Sequence, residues 1–266
     1  MFDAQSRLGF GTYTLTDRSG TETIEAALDT GYRHVDTARL YGNEHEVGKA
    51  IEAADVGRED VFVATKVAHF EEPEKTEEYV QTAIEESFER LGLDRIDLLY
   101  HHWPRTHDDI KTVLPIIAET VKDGSVGALG VSNYTTADLD RANKLVDVPI
   151  SALQVEMHPF LQQSDVREYI SGTDTELVAY APLAQGAVFD DDTISDIAEK
   201  HDVSESNVSL AWLLEKGVVP IPRTSSVDHL RSNLDSLDVD LDSEDIQRID
   251  SIKRSNRCVD PDWMTW

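Results

Sequence analysis

Short runs rich in β-branched and other apolar residues alternate along the chain with longer stretches of helical period. LGFGTY (8–13), RHVDT (33–37), VFVATK (61–66), IDLLYHH (96–102), VGALGVSN (126–133), ALQVEMH (152–158), ELVAYAP (176–182) and VVPIP (218–222) read as eight strands. Between them TETIEAALDTG (21–31) reads as a helix closed by Gly31. QTAIEESFERLG (81–92) puts Ile84, Phe88 and Leu91 on one face and stops at Gly92. Ile110, Val113, Leu114, Ile117 and Val121 form a further apolar stripe, read as core. Segments 194–201 and 204–216 read as two consecutive helices before the last strand. With no Pro/Gly/Ser-rich linker and no low-complexity tract, this order predicts an α/β fold, a closed (β/α)8 barrel in one domain over 1–266 that accommodates one helical insertion.

A chain of 266 residues can bury a sizeable core and has an ordinary length for one such barrel. It opens MFDAQSRLGFGTY, without a basic segment leading into an apolar stretch. No later window approaches the roughly 18 uninterrupted apolar residues of a membrane span, so a soluble protein is expected. A lone Cys258 allows neither an internal disulfide nor a Cys-rich metal site and suits a reducing cytoplasm. Charge changes the picture most: 52 acidic residues face 24 basic ones (9 Lys and 15 Arg), a formal net charge of −28. Such a surface repels nucleic acid and anionic membranes, which removes both as expected partners. Acid runs such as FEEPEKTEE (70–78), FDDDT (189–193) and LDVDLDSED (237–245) are dispersed, as in a solvated coat and unlike a single interaction tail. Self-repulsion on this scale is screened within roughly 3 Å in molar salt, and a salt-rich cytoplasm is the expected habitat.

Barrel enzymes carry reactive side chains at the C-terminal ends of their strands. Here those ends hold Thr12 and Tyr13, Asp36, Lys66, His101 and His102, Ser132 and Asn133, Gln154 with Glu156 and His158, Tyr180, and then Arg223 with Thr224. Successive strand residues point to opposite faces, so only one of His101 and His102 faces the lumen, and alternation alone does not say which. Singly, Asp36 could cap a helix, Tyr41 could sit on a surface turn and Lys66 could end a strand in solvent. Together with a histidine, the three would carry complementary chemistry if they met at one barrel mouth. Gly11, Gly42 and Gly130 read as turn residues, and His158, before Pro159, as a loop residue. Neither G-x-G-x-x-G nor G-x-x-x-x-G-K-[ST] occurs, so a dinucleotide would have to be held by the barrel mouth. A metal-dependent hydrolase drawing on His101 or His102, Glu156 and His158 lacks H-x-H and H-E-x-x-H, and no metal is expected. A Schiff-base aldolase using Lys66 is a second enzymatic reading.

Taken in order, GYRHVDTARLYGNEHEVGKAI (31–51), TK (65–66), IDLLYHHWP (96–104), GVSN (130–133), QVEMHP (154–159), AYAPLAQG (179–186) and IPRTSSVDHLRSNL (221–234) resemble the signature blocks of aldo-keto reductases. The resemblance covers nearly the whole chain and is closest to short prokaryotic members similar to 2,5-diketo-gluconate reductases. It implies reduction of a small-molecule aldehyde or ketone to an alcohol by hydride transfer from NAD(P)H. Tyr41 is then the general acid, Asp36 and Lys66 lower its pKa from near 10, and His102, the histidine of His-Trp-Pro, orients the carbonyl. His101 is left as a hydrogen-bonded structural histidine. By the same resemblance Ser132, Asn133 and Gln154 bond the nicotinamide carboxamide and Tyr180 stacks on the ring. The pyrophosphate lies under the 183–187 loop beginning at Leu183. Arg223, Thr224 and Ser225 meet the adenosine 2′-phosphate, Asn233 meets adenine, and Gly11, Thr12 and Asp36 complete the cofactor contacts. Tyr13, Trp103 and His102 border the substrate. His229 replaces a usual arginine and Ser232 a usual glutamate, which implies NADPH preference with appreciable NADH use. Ala68, where relatives often carry tryptophan, implies a roomier pocket for aldehydes, α-keto esters or sugar-derived ketones. The tail tryptophans Trp263 and Trp266 fold over the mouth or pack on the barrel. A cytoplasmic monomer is expected, and a nicotinamide-binding redox sensor without significant turnover is the alternative reading.

Overall fold

The computed structural model describes residues 1–71 and 75–264. Its eight strands are β1 (Phe10–Gly11), β2 (His34–Asp36), β3 (Phe62–Val67), β4 (Leu98–His101), β5 (Leu129–Ser132), β6 (Ile150–Glu156), β7 (Glu176–Tyr180) and β8 (Val218–Pro220). They pair in sequence order, every pair parallel. The ring closes where the Gly9 N–H donates to Pro220 O at 2.9 Å and the Gly11 N–H to Pro222 O at 3.1 Å. Pro220 and Pro222 have no N–H, so this side of β8 only accepts, and the Ile221 N–H between them turns to Ala179 O on β7 at 3.0 Å. A Cβ on Gly11 would come within 2.9 Å of Ile221 O, so this glycine lets the seam close. The expected (β/α)8 barrel is the observed fold.

Helices α1 (Asp17–Thr30), α2 (Glu44–Ala53), α3 (Glu77–Leu91), α4 (His107–Asp123), α5 (Thr136–Ala142) and α6 (Ser164–Ile170) follow β1 to β6. Gly31 ends α1 and Gly92 ends α3, as expected, with φ of 126° and 64°. Both helices begin four residues before their apolar stripe suggests. At α3 the reason is a cap: Thr76 Oγ1 accepts the Tyr79 N–H at 3.1 Å, a polar signal that hydrophobic spacing does not register. The expected pair before β8 is α7 (Asp192–His201) and α8 (Glu205–Glu215); α8 packs on β8, while α7 is covered by α10 (Ser243–Asp250), which follows α9 (Val227–Asp235). Lys200 and His201 fasten this insertion, both reaching the Asp245 carboxylate, at 2.8 and 2.7 Å. Among the described residues no helix is long and apolar enough to cross a membrane.

Apolar side chains form two shells. Ala64, Leu98, Tyr100, Ala152, Val178, Val219 and Ile221 fill the barrel interior, whereas Val63, Leu99, Leu129 and Leu153 point outward into the layer beneath the helices. Along β4, Leu98 and Tyr100 therefore face in and Leu99 faces out. Gly130 is a mid-strand residue and not the expected turn: a Cβ there would lie 2.4 Å from the Tyr100 ring, so its missing side chain makes room for an aromatic plug in the lumen. Gly42, at φ 67°, is the expected turn glycine.

Candidate active site

The apolar runs overshoot most of the strands, and the mouth residues cluster at these C-terminal ends. Asp36 ends β2 and Lys66 lies on β3; both are within 2 % of full enclosure. Lys66 Nζ donates to Asp36 Oδ1 and, at 2.8 Å, to Thr37 O, while Gln154 Nε2 donates to Asp36 Oδ2 at 2.7 Å. Tyr41 sits on a helical turn, Arg39–Tyr41, with Lys66 Nζ 5.1 Å from its ring centroid. Two buried neighbours pin that turn. Asn43 accepts from Thr37 Oγ1 at 2.8 Å and donates to Thr12 O and Leu15 O at 2.8 and 2.9 Å; Glu44 accepts from Thr65 Oγ1 at 2.7 Å. The tyrosine is thereby tied to the loop after β1 and to β3.

Burial pushes the Lys66 ammonium below its ordinary pKa, and the Asp36 carboxylate pushes it back up. Tyr41 is held well above 10, by burial first and then by the charges of Asp36 and Tyr13. In the protein alone the shift is upward, opposite to the lowered phenol that the resemblance implies, because Asp36 offsets the Lys66 charge and the ring is partly buried. His102 follows β4, with its ring edge-on to Tyr41 at 5.8 Å between centroids. Burial, then the charges of Lys66, His69 and His101, hold it well below 6.5, so the imidazole is neutral. His101 points the other way: its Nδ1 pairs with Tyr134 OH at 2.7 Å, and burial takes its pKa to about 3.

A cavity of about 620 Å³ opens at this mouth, and thirteen of the expected site residues border it: Gly11, Thr12, Tyr13, Asp36, Tyr41, His102, Trp103, Ser132, Asn133, Gln154, Tyr180, Leu183 and Arg223. Lys66 lies just behind that surface. Tyr180 OH donates to Asn133 Oδ1 at 2.8 Å, and Asn133 Nδ2 reaches Ser132 Oγ at 3.0 Å and His102 O at 3.3 Å, one network from β4 to β7. Arg223 bridges to Tyr13 O at 3.1 Å and Thr14 Oγ1 at 2.8 Å. Thr224, Ser225 and His229 stand outside the cavity, around the start of α9; Ser225 and His229 are exposed. Asn233, expected at adenine, is 4 % exposed and turned inward to the Tyr32 hydroxyl.

Ala68 does not widen the pocket as expected. Its φ of 61° turns the chain so that Ala68 is buried in the outer layer, and His69 and Phe70 take the wall instead. The His69 ring lies 4.6 Å from that of His102, and burial and Lys75 lower its pKa to about 4. These two residues were passed over in the sequence, although an aromatic pair just past a strand end was a usable signal. Val259 and Pro261 also border the cavity and carry no local signal. Of the two tail tryptophans, Trp263 packs edge-on against Phe70 at 4.8 Å; Trp266 lies outside the described residues. Among the described residues one group has metal-ligand character, Glu156, His158 and Cys258, with their ligand atoms within 4.8 Å of one another.

An eight-stranded barrel gathers a phenol, an ion-paired lysine and an imidazole at one mouth, and comparison with known proteins makes the chain a carbonyl-reducing oxidoreductase. The chain belongs to the aldo/keto reductase family, whose model matches residues 7–254. It is 36 % identical over 250 residues to the glyoxal reductase of Bacillus subtilis (strain 168), covering 94 % of this chain and 89 % of that one. It is 32 % identical over 257 residues to the methylglyoxal reductase DkgB of Escherichia coli O157:H7, covering 96 % and 95 %. Among solved structures, MGS-M4, an aldo-keto reductase enzyme from a Medee basin deep-sea metagenome library, superposes with a TM-score of 0.91 at 33 % identity over 96 % of this chain and 93 % of that one. A protein assigned as a 2,5-diketo-D-gluconic acid reductase B gives 0.92 at 32 % identity over 97 % and 92 %.

Proposed function

We propose that the chain acts as one barrel domain that reduces a small aldehyde or ketone with hydride from NADPH, Tyr41 serving as general acid. The carrying observation is that Asp36, Tyr41 and His102 border one cavity, with Lys66 paired to Asp36 and its Nζ 5.1 Å from the Tyr41 ring centroid. A bound nicotinamide supplies the hydride. The donor set fits such a group: the Ser132 hydroxyl and the Asn133 and Gln154 carboxamides suit its amide, the Tyr180 ring its face, and the Arg223 guanidinium a phosphate at the rim. Thr224, Ser225 and His229 at the start of α9 complete a 2′-phosphate site favoured by the helix terminus. An imidazole at position 229 grips that phosphate less firmly than a guanidinium, hence appreciable use of NADH.

His102, neutral, donates to the carbonyl oxygen and orients the carbon toward the hydride. As charge develops on that oxygen, Tyr41 delivers its proton to an alkoxide far more basic than a phenolate. Lys66 stabilises the phenolate left behind, and Asp36 keeps Lys66 charged. A phenol held above 10 stays protonated at neutral pH and so is competent to act as this acid. Tyr13 and Trp103 border the substrate beside His69 and Phe70. The names of the relatives put glyoxal and methylglyoxal first among candidate substrates. A salt-adapted cytoplasmic monomer is the setting that the net charge and lone cysteine support.

The test is a carbonyl panel with NADPH consumption followed by absorbance in molar KCl, with Tyr41→Phe as control. Loss of reduction by about 10²- to 10⁴-fold with NADPH binding intact is the expected result. Absence of turnover with every carbonyl while NADPH still binds would favour the redox-sensor alternative.

A further inference from the structure

Glu156 ends β6 fully enclosed, and its carboxylate is filled by donors from two separate places. Oε1 accepts the Cys258 backbone N–H at 2.6 Å and Oε2 the Val259 N–H at 2.8 Å, both from the C-terminal tail. The third donor is His158 Nε2, 2.9 Å from Oε1. Its tautomer is fixed by the structure: Nδ1 accepts the Phe160 N–H at 3.2 Å, so the ring proton of the neutral imidazole is on Nε2. Burial works against ionisation of Glu156, and these three bonds outweigh it and hold the carboxyl below its ordinary pKa. The group satisfies itself by hydrogen bonding alone, which is why it reads as a clasp and not as an ion site; burial also pushes the Cys258 thiol up to about 11.

The tail that Glu156 holds is positioned by side-chain and backbone contacts and not by a regular element of its own. No helix or strand follows α10 among the described residues, and further anchors are Asn256 N–H to Phe160 O at 3.0 Å and the Arg254 guanidinium 4.1 Å over the Phe160 ring. Just beyond the clasp, Val259 and Pro261 border the cavity, and Trp263 backs the lining residues Phe70 and Trp103 at 4.8 and 6.1 Å. We infer that Glu156 is a positioning residue whose carboxylate clasps the tail and thereby sets the pocket wall met by bulky carbonyl substrates, leaving the reacting groups untouched. This rests on the carbonyl-reductase reading above. Small carbonyls that bind between Tyr41 and His102 do not need that wall; aromatic ones do.

Glu156→Gln in the full chain preserves shape and turns one acceptor oxygen into a donor that faces a tail N–H. Cys258→Pro deletes a donor from the tail side and leaves the barrel intact, so it guards against misfolding of the first variant. In both, hydrogen exchange of a peptide covering 257–264 is expected to quicken about tenfold, the loss of one charge-assisted hydrogen bond, while β4 and β5 keep their protection. KM for an aromatic aldehyde is expected to rise about tenfold with kcat unchanged, and KM for a two- or three-carbon dicarbonyl to stay constant. Unchanged tail exchange in both variants overturns the proposal, as does a loosened tail with an unaltered aromatic KM. Exchange is read without turnover, so failure of the clasp is distinguishable from a native protein that reduces no carbonyl.

Discussion

Asp36→Asn removes one charge from the centre of the site at nearly constant shape. In the native protein the Asp36 carboxylate accepts from Lys66 and Gln154, and none of the three side chains is more than 2 % exposed. Leaving the Lys66 ammonium buried and unpaired costs about 3–5 kcal/mol, a penalty the variant can relieve by releasing the proton. Lysine in the unfolded chain keeps its proton to near 10.5, whereas in the folded variant burial lowers the pKa and is opposed by the Glu44 carboxylate but no longer by Asp36. Between those two values the unfolded state binds more protons, so the variant gains stability as pH rises toward 10.5 and loses it as pH falls. Each pH unit inside that window is worth at most about 1.4 kcal/mol, roughly 3–6 °C in Tm for a chain of this size. Thermal unfolding of both proteins from pH 7 to 9, in one salt concentration, gives the difference directly. The variant should unfold well below the native protein at pH 7 and close part of that gap by pH 9. A gap that does not change with pH would refute the reasoning, because Lys66 would then not depend on Asp36 for its charge.

Other outcomes follow from the same geometry. With Tyr41 held well above 10 and His102 well below 6.5, kcat/KM for reduction should be level across neutral pH, falling only well above pH 10 as Tyr41 ionises and only well below 6.5 as His102 takes a proton; an inflection near pH 7 contradicts both directions. The kcat/KM ratio of NADPH to NADH should stay below roughly a thousandfold, about 4 kcal/mol, and His229→Arg should raise it; a native ratio above that limit defeats the role given to His229. The Tm should climb from dilute buffer to molar KCl as the net charge of −28 is screened, and a flat profile would remove salt adaptation.

Periodicity and strand-end polarity were enough to read eight βα units, because a parallel barrel repeats one local pattern and needs no knowledge of distant contacts. Asp36, Lys66 and His102 were legible for the same reason: each ends an apolar run, and the ends of all runs meet at one face. Choosing His102 over His101 needed the motif as well, and the inward packing of Tyr100 against Gly130 supplies the physical reason for that choice. The boundaries of α3 were misjudged where a cap and not an apolar side chain starts the helix.

Sequence by itself determined the barrel, the identity of its chemically capable strand ends, and the excess of acidic charge, all properties carried by residues close together along the chain. Tertiary structure alone decided the protonation of Tyr41, which depends on how far burial and an Asp36–Lys66 pair cancel a cation that sequence places nearby. It decided, too, that Ala68 is turned away and His69 and Phe70 are turned in, since one residue at positive φ redirects all that follow. The wall formed by Val259 and Pro261 was beyond sequence for a simple reason: it exists because a carboxylate on β6 meets backbone amides about a hundred positions later, and no local pattern records that meeting.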